Sequence, residues 1–182
     1  MITMEELQKH AEQLSLSAKE YAHVESTFLK DFKSENACIC AIYKVPDFTA
    51  GFEACAAEIA SKRGKEPERI HVYHGTTMAS ALHICKSAFD PSYSKVAAFG
   101  KGTYASPCPR TALAYCKDVK GREDFSMVFL CKFLTGTFQQ YSSGATINTT
   151  VADYSGNKSN IIVTPYRYGI IPEYLICYYS WS

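Results

Sequence analysis

A break at Gly64-Lys65-Glu66-Pro67-Glu68 divides the chain into two textures, and no all-helical or all-strand architecture accommodates both. Before the break the apolar residues recur at helical spacing. Leu7, Ala11, Leu14 and Leu16 predict an amphipathic start. Ser17 is placed to cap a second helix, whose buried stripe is Tyr21, Val24, Phe28 and Leu29. A third helix is expected over 48–62, with Phe52, Cys55, Ala56 and Ile59 on one face, and a short β-forming run at 38–45 precedes it. After the break the pattern shortens. Strands are expected over 69–73, 126–133, 136–140, 160–164 and 174–179, with a bend around Tyr168-Gly169 and Pro172 before the last. Helices over 77–87 and 109–116 and a loop over 89–99 lie among them. Residues 142–159, rich in Ser, Gly, Asn and Thr, read as a long polar loop with no core of its own. Short strands with few helical crossovers predict an α+β fold with mostly antiparallel sheets.

The chain has 182 residues, a length that suits one domain. Its 47% apolar and 20% charged residues suit a globule with a core. With 19 basic and 18 acidic side chains the formal net charge is +1, which lacks the basic excess of a nucleic-acid binder. The eight cysteines include no Cys-x-x-Cys pair, and His83 and Cys85 have no second half at zinc-site spacing, so no metal is expected. Free thiols, an acidic N-terminus and the lack of a long apolar run direct the expectation to the cytoplasm or nucleus, off the membrane.

Two segments carry chemistry. In Val72-Tyr73-His74-Gly75-Thr76, alternation points Val72 and His74 to one face. The glycine lets a ligand approach the backbone, so that Gly75 can offer both N–H and C=O to an amide. The alternative is a histidine satisfied at a turn. In Phe99-Gly100-Lys101-Gly102-Thr103-Tyr104, two glycines mark a tight bend that presents an aromatic ring. No Walker residues follow, so this is not a phosphate-cradling loop; a hairpin with Tyr104 in the core is the competing reading.

The order of these segments resembles the catalytic domain of the poly(ADP-ribose) polymerase family, especially its mono-ADP-ribosyltransferase branch. Glu20-Tyr21-x-x-Val24-Glu25-x-x-Phe28, the approach through Glu68-Arg69-Ile70, the run from Val128 to Phe138 and the closing Pro172-Glu173-Tyr174-Leu175-Ile176 extend the likeness over about 18–179. The resemblance implies a single catalytic domain, with 1–17 as an extension and 18–182 as the ADP-ribosyltransferase core. Its fold would be a split antiparallel β-sandwich with N-terminal helices, and NAD its substrate. It further implies that His74 bonds a ribose hydroxyl and that Gly75 binds the nicotinamide carboxamide, with Thr76 and Gly102 beside them. Tyr104 would pack on the nicotinamide ribose and Tyr115 would stack on the ring. Ser92 and Tyr93 belong to a donor loop over the cleft. For the carboxamide-binding serine, an ungapped count reaches Ala112, and a one-residue adjustment reaches Thr111.

The third catalytic position departs from the family's polymerising members, which carry a glutamate there. Counting back from Pro172 reaches Ile161, or Asn160 with one extra residue; neither is acidic. Glu173 falls on the closing strand instead. Without that carboxylate no base deprotonates an incoming ribose hydroxyl, so single-unit transfer to a protein acceptor is expected rather than chains. A silent NAD- or ADP-ribose-binding or protein-interaction domain is the alternative, and a monomer is the expected state.

Overall fold

The computed structural model describes residues 4–32, 37–94, 99–116, 125–140, 147, 153–156 and 161–180. The elements run α1 (Met4–Gln8), β1 (Glu12–Gln13), α2 (Lys19–Phe32), β2 (Ala37–Lys44), α3 (Thr49–Arg63), β3 (Arg69–Thr76) and α4 (Met78–Ser87). They continue through β4 (Thr103–Ala105), α5 (Pro109–Leu113), β5 (Phe125–Leu134), β6 (Phe138–Gln140), β7 (Tyr154–Gly156), β8 (Ile162–Thr164) and β9 (Ile170–Ser180). The fold class is α+β, as expected. A five-stranded antiparallel sheet has the order β1-β2-β9-β5-β3, and a four-stranded sheet the order β4-β8-β7-β6. Within the second sheet β6 and β7 are parallel, an exception to the antiparallel expectation.

The apolar runs of β5 and β9 follow from burial on both faces of the large sheet. Phe129, Cys131, Leu175 and Cys177 face a core with Leu7 of α1, Ala81 and Cys85 of α4, and Ile162 of the small sheet. The alternate residues Val128, Leu130, Ile176 and Tyr178 face α2 through Tyr21, Val24, Phe28 and Phe32. A sheet wetted on one face would alternate apolar with polar; this one cannot. The third helix packs as its spacing predicts, with Phe52, Cys55, Ala56 and Ile59 buried against Leu134 and Ile171.

Several expectations are corrected. The first helix stops at Gln8, because the chain turns to pair β1 with Lys44 and Tyr43 of β2. Leu7, Ala11 and Leu14 are buried through that change of geometry, while Leu16 is left 77% exposed. On α2 the stripe runs Tyr21, Val24, Phe28, Phe32, and Leu29 lies beside it in solvent. Pro172 is no bend. It sits inside β9 opposite Cys131, where the ladder slips and the lost N–H is tolerated. The helix expected over 109–116 ends at Leu113, and β6 begins at Phe138, not 136.

Most of 142–159 lies outside the described residues, but β7 and Asp153 within it are buried parts of the small sheet, contrary to a coreless loop. The Asp153 side chain is fully buried and accepts from Arg63 Nε at 2.9 Å and Nη2 at 3.0 Å. It also accepts from the Thr137 N–H at 2.8 Å and the Tyr166 hydroxyl at 3.2 Å. One carboxylate therefore ties α3, the β5–β6 turn, β7 and the β8–β9 turn together. Its four bonds offset the desolvation of the charge, and removing it would take these bonds from Arg63, Thr137 and Tyr166 together. Asp153→Ala is expected to lower the unfolding free energy by about 3–5 kcal/mol in urea denaturation. A change below about 1 kcal/mol would show that the carboxylate is dispensable.

Candidate functional site

Among the described residues one β-bridge joins the two sheets, and a cavity opens beside it. The Tyr73 N–H donates to the Ser106 carbonyl at 2.7 Å, and the Ser106 N–H donates to the Tyr73 carbonyl at 2.9 Å. β3 is the edge strand there, so alternation turns the N–H and C=O of Gly75, two residues on, toward the same outer edge. That edge faces a cavity of about 720 Å³, within the ordinary range for a small-molecule cleft. His74, Gly75, Tyr93, Gly102, Tyr104, Thr111, Ala112, Tyr115 and Ile161 all line it.

His74 is fixed from two sides. Its Nδ1 lies 2.6 Å from the Tyr104 carbonyl oxygen, which can only accept, so Nδ1 carries the proton. Phe89 meets the ring edge-on at 4.8 Å between centroids. Burial pushes the His74 pKa below the usual histidine range, against the opposing pull of the Tyr104 carbonyl. The ring is therefore neutral at pH 7 and its Nε2 is an acceptor.

Gly75 is required by packing: a Cβ there would overlap the Ala112 carbonyl oxygen of α5. The same helix brings Thr111 and Ala112 to the wall, so both candidates for the serine position reach the cavity, and Thr111 supplies the hydroxyl. Tyr115, in the turn after α5, stands 58% exposed at the mouth.

The Gly100–Gly102 bend is closed by side chains. The Tyr104 hydroxyl donates to the Gly100 carbonyl at 2.7 Å and accepts from the Phe99 N–H at 3.1 Å. Ser94 Oγ accepts from the Gly102 N–H at 3.2 Å, and Ser155 Oγ donates to the Phe99 carbonyl at 2.8 Å. Tyr104 is thus neither a free platform nor a core residue alone: its hydroxyl holds the bend while the residue lines the cavity. Gly102 lies under β8, where a Cβ would meet the Thr164 carbonyl.

Two expected residues stand outside the lining. Thr76 is buried at the strand end, with its hydroxyl on the Thr77 carbonyl. Ser92 is exposed in a 3-10 turn (Pro91–Tyr93), its N–H bonded to Asp90 Oδ1 at 2.9 Å. Tyr93, in the same turn, reaches the cavity although 84% exposed. Of the two third-position candidates, Ile161 lines the wall and packs near Val163 and Ile147; Asn160 lies outside the described residues, as do Lys95 and Val96 of the expected donor loop. Glu173 is far from this chemistry in role. Burial opposes its ionisation, but bonds from His71 at 3.3 Å and Lys132 at 2.8 Å hold it below the usual carboxylate range.

Sequence reasoning missed one whole wall. Ser80, His83, Ile84 and Ser87 line the cavity from α4, at the i, i+3, i+4, i+7 spacing of one helix face. That spacing was the available signal. Phe89 against His74 had none, because it depends on Ala88. Ala88 closes α4 at φ 59°, ψ −167°, with its N–H on the Ile84 carbonyl. Alanine rarely adopts this conformation, and here it aims Phe89 at His74. Relief of strain (~1–3 kcal/mol) should exceed the entropy a glycine adds to the unfolded chain (~0.5–1 kcal/mol). Ala88→Gly is expected to raise the melting temperature by a few degrees, and an unchanged or lower value in a thermal scan would refute the strain.

Comparison with known proteins points to one family. A family model of the poly(ADP-ribose) polymerase catalytic domain matches residues 18–165, well over half of the chain. Protein mono-ADP-ribosyltransferase PARP14 of Homo sapiens is 26% identical over 150 residues, which cover 73% of this chain and 8% of that protein. The chain therefore spans a small part of that relative's length.

Proposed function

Because the chain belongs to the poly(ADP-ribose) polymerase catalytic-domain family, we propose that it binds NAD in this cavity and transfers one ADP-ribose unit to a protein side chain. The observation that carries the reading is the pairing of an acceptor nitrogen with a bare backbone edge. Neutral His74, held through Nδ1 by Tyr104, turns Nε2 into the acceptor for a ribose hydroxyl. Beside it, the Gly75 N–H and C=O match the acceptor and donor of a carboxamide, and Thr111 adds a hydroxyl. Tyr115 stacks on the pyridinium, a planar cation that an aromatic face attracts. Thr76 and Ser92 have no direct part.

In the reaction the bond from the ribose anomeric carbon to the nicotinamide nitrogen breaks, and the electron pair leaves with neutral nicotinamide. The acceptor's anionic nucleophile forms the new bond to that carbon, so no proton has to be removed. His74 and Gly75 orient the two halves of the breaking bond, which is an entropic contribution. Ile161 supports single transfer. An alkyl side chain neither stabilises an oxocarbenium-like state nor accepts a proton, so a ribose hydroxyl gains no base and a chain has no means of growing. The acceptor must then bring a nucleophile that is already charged. The same Ile161, with Ala112 beside Thr111, is what favours the second reading, a silent NAD- or ADP-ribose-binding domain.

Incubation with labelled NAD separates the readings. Single-unit labelling of the protein or a partner is expected, with a loss of about tenfold or more in His74→Ala. Long chains would overturn the mono assignment, and binding without labelling would favour the silent domain. The pH profile is a further test. His74 is neutral above its lowered pKa and loses its acceptor only on protonation. Transfer should therefore be flat from pH 7 to 8 and fall only as the pH drops below the ordinary histidine value of 6.5. A fall centred at or above 6.5 would contradict the buried, neutral ring.

A further inference from the structure

The helix that carries Thr111 and Ala112 is too short to place itself. α5 has five residues, and a helix of that length has no stability of its own in water. Yet Thr111 and Ala112, with Tyr115 in the turn after them, form one side of the cavity. The Ala112 carbonyl already stands where a Cβ on Gly75 would overlap it, so a small shift of α5 changes the space left beside the Gly75 edge. The far end of the helix is tied to β5, where Cys116 Sγ donates to the Met127 carbonyl at 3.2 Å. Its near end is held from outside the cavity.

Arg110, in the first turn of α5, is exposed and reaches α2 instead of the cleft. Its Nε donates to the Phe32 carbonyl at 2.8 Å, and its guanidinium lies 5.7 Å from the Phe32 ring centroid. Phe32 is the last residue of α2, so its carbonyl has no acceptor role inside the helix, and a cation is favoured at that end. One residue earlier, Asp31 Oδ2 accepts from the Tyr73 hydroxyl at 2.7 Å. Tyr73 precedes His74 and forms the bridge to Ser106. The rings between these ties are packed: Phe28 stacks on Phe32 at 5.4 Å and meets Tyr73 edge-on at 6.0 Å. Ala112 and Cys116 are buried in the same cluster. Two adjacent residues at the end of α2 therefore hold both the strand that carries His74 and Gly75 and the helix that faces it.

We propose that Arg110 is a positioning residue for the nicotinamide end of the cleft: by tying α5 to the end of α2 it sets the spacing between Gly75 and Thr111. Asp31, through Tyr73, is the matching tie on β3. This role rests on NAD as the ligand of the cavity and adds a residue that touches no part of it. The remaining walls do not hang on the same tie. Ser80, His83, Ile84 and Ser87 ride on α4, and Tyr104 is locked into the Gly100–Gly102 bend. Loss of the Arg110 tie is therefore felt at the nicotinamide and not along the rest of the dinucleotide.

Calorimetric titration of the whole chain with nicotinamide and, separately, with ADP-ribose tests this. Arg110 is exposed, so its truncation leaves the core intact. Arg110→Ala is expected to weaken nicotinamide binding about five- to tenfold and to leave ADP-ribose binding within about twofold. Arg110→Lys keeps a donor for the Phe32 carbonyl and should return nicotinamide binding to within about threefold of the unaltered chain. Unchanged nicotinamide affinity in Arg110→Ala overturns the positioning role while leaving the NAD reading in place. A lysine variant as weak as the alanine one overturns it too, since a donor at that carbonyl is then not what matters. Equal losses for the two ligands report a loosened fold and also overturn it. If the unaltered chain binds neither ligand, the NAD reading fails and the positioning role goes with it.

Discussion

The cavity depends on how little joins the two sheets along their shared edge. Among the described residues only the Tyr73–Ser106 bridge, two hydrogen bonds, brings β3 and the end of β4 into register. Had the pairing continued, Gly75 would have been consumed in a ladder and the two sheets would have closed into one. The strands instead diverge, and α5 inserts with its Ala112 carbonyl against Gly75. Backbone polar groups at a sheet edge must find partners or face a ligand. Here they face a cleft with apolar and aromatic walls, which is a description of a binding site before any ligand is considered.

A gap of this kind needs to be held apart as well as joined. Arg63 and Asp153 do this on the far side, locking α3 to β7 and to the turn between β8 and β9. On the near side His74 spans the gap through the Tyr104 carbonyl, and Phe89 supports its ring. The histidine is therefore a structural strut through Nδ1 that leaves Nε2 as an acceptor. One nitrogen serves each role, and the ordinary objection that a histidine at a turn is merely satisfied is half right. The distinction between its two nitrogens is what lets both readings stand together.

The fold was legible where periodicity and burial agree. The third helix buried the four residues its spacing named, and the α+β class followed from the change of texture at 64–68. Leu16, Leu29 and Pro172 were misread for one reason: each depends on a neighbour distant in sequence. Pairing with β2 ended the first helix, Phe32 completed the stripe of α2, and the slip opposite Cys131 gave Pro172 a place inside a strand. The site was legible through His74, Gly75 and Tyr104, whose local pattern carries chemical meaning. The α4 wall and the strained Ala88 were not, because an ordinary helix face and an alanine carry no mark of what they will enclose.

The sequence by itself determined the chemical types available: a histidine followed by glycine, an aromatic after a double-glycine bend, and non-acidic side chains at Asn160 and Ile161. These are covalent facts, fixed whatever the fold. Only the tertiary structure decided the proton on Nδ1, the direction of the Gly75 amide, and the separation of Glu173 from the cleft. Each of these is a relation between segments far apart in the chain. Sheet order and helix packing set such relations, and no local pattern of residues encodes them.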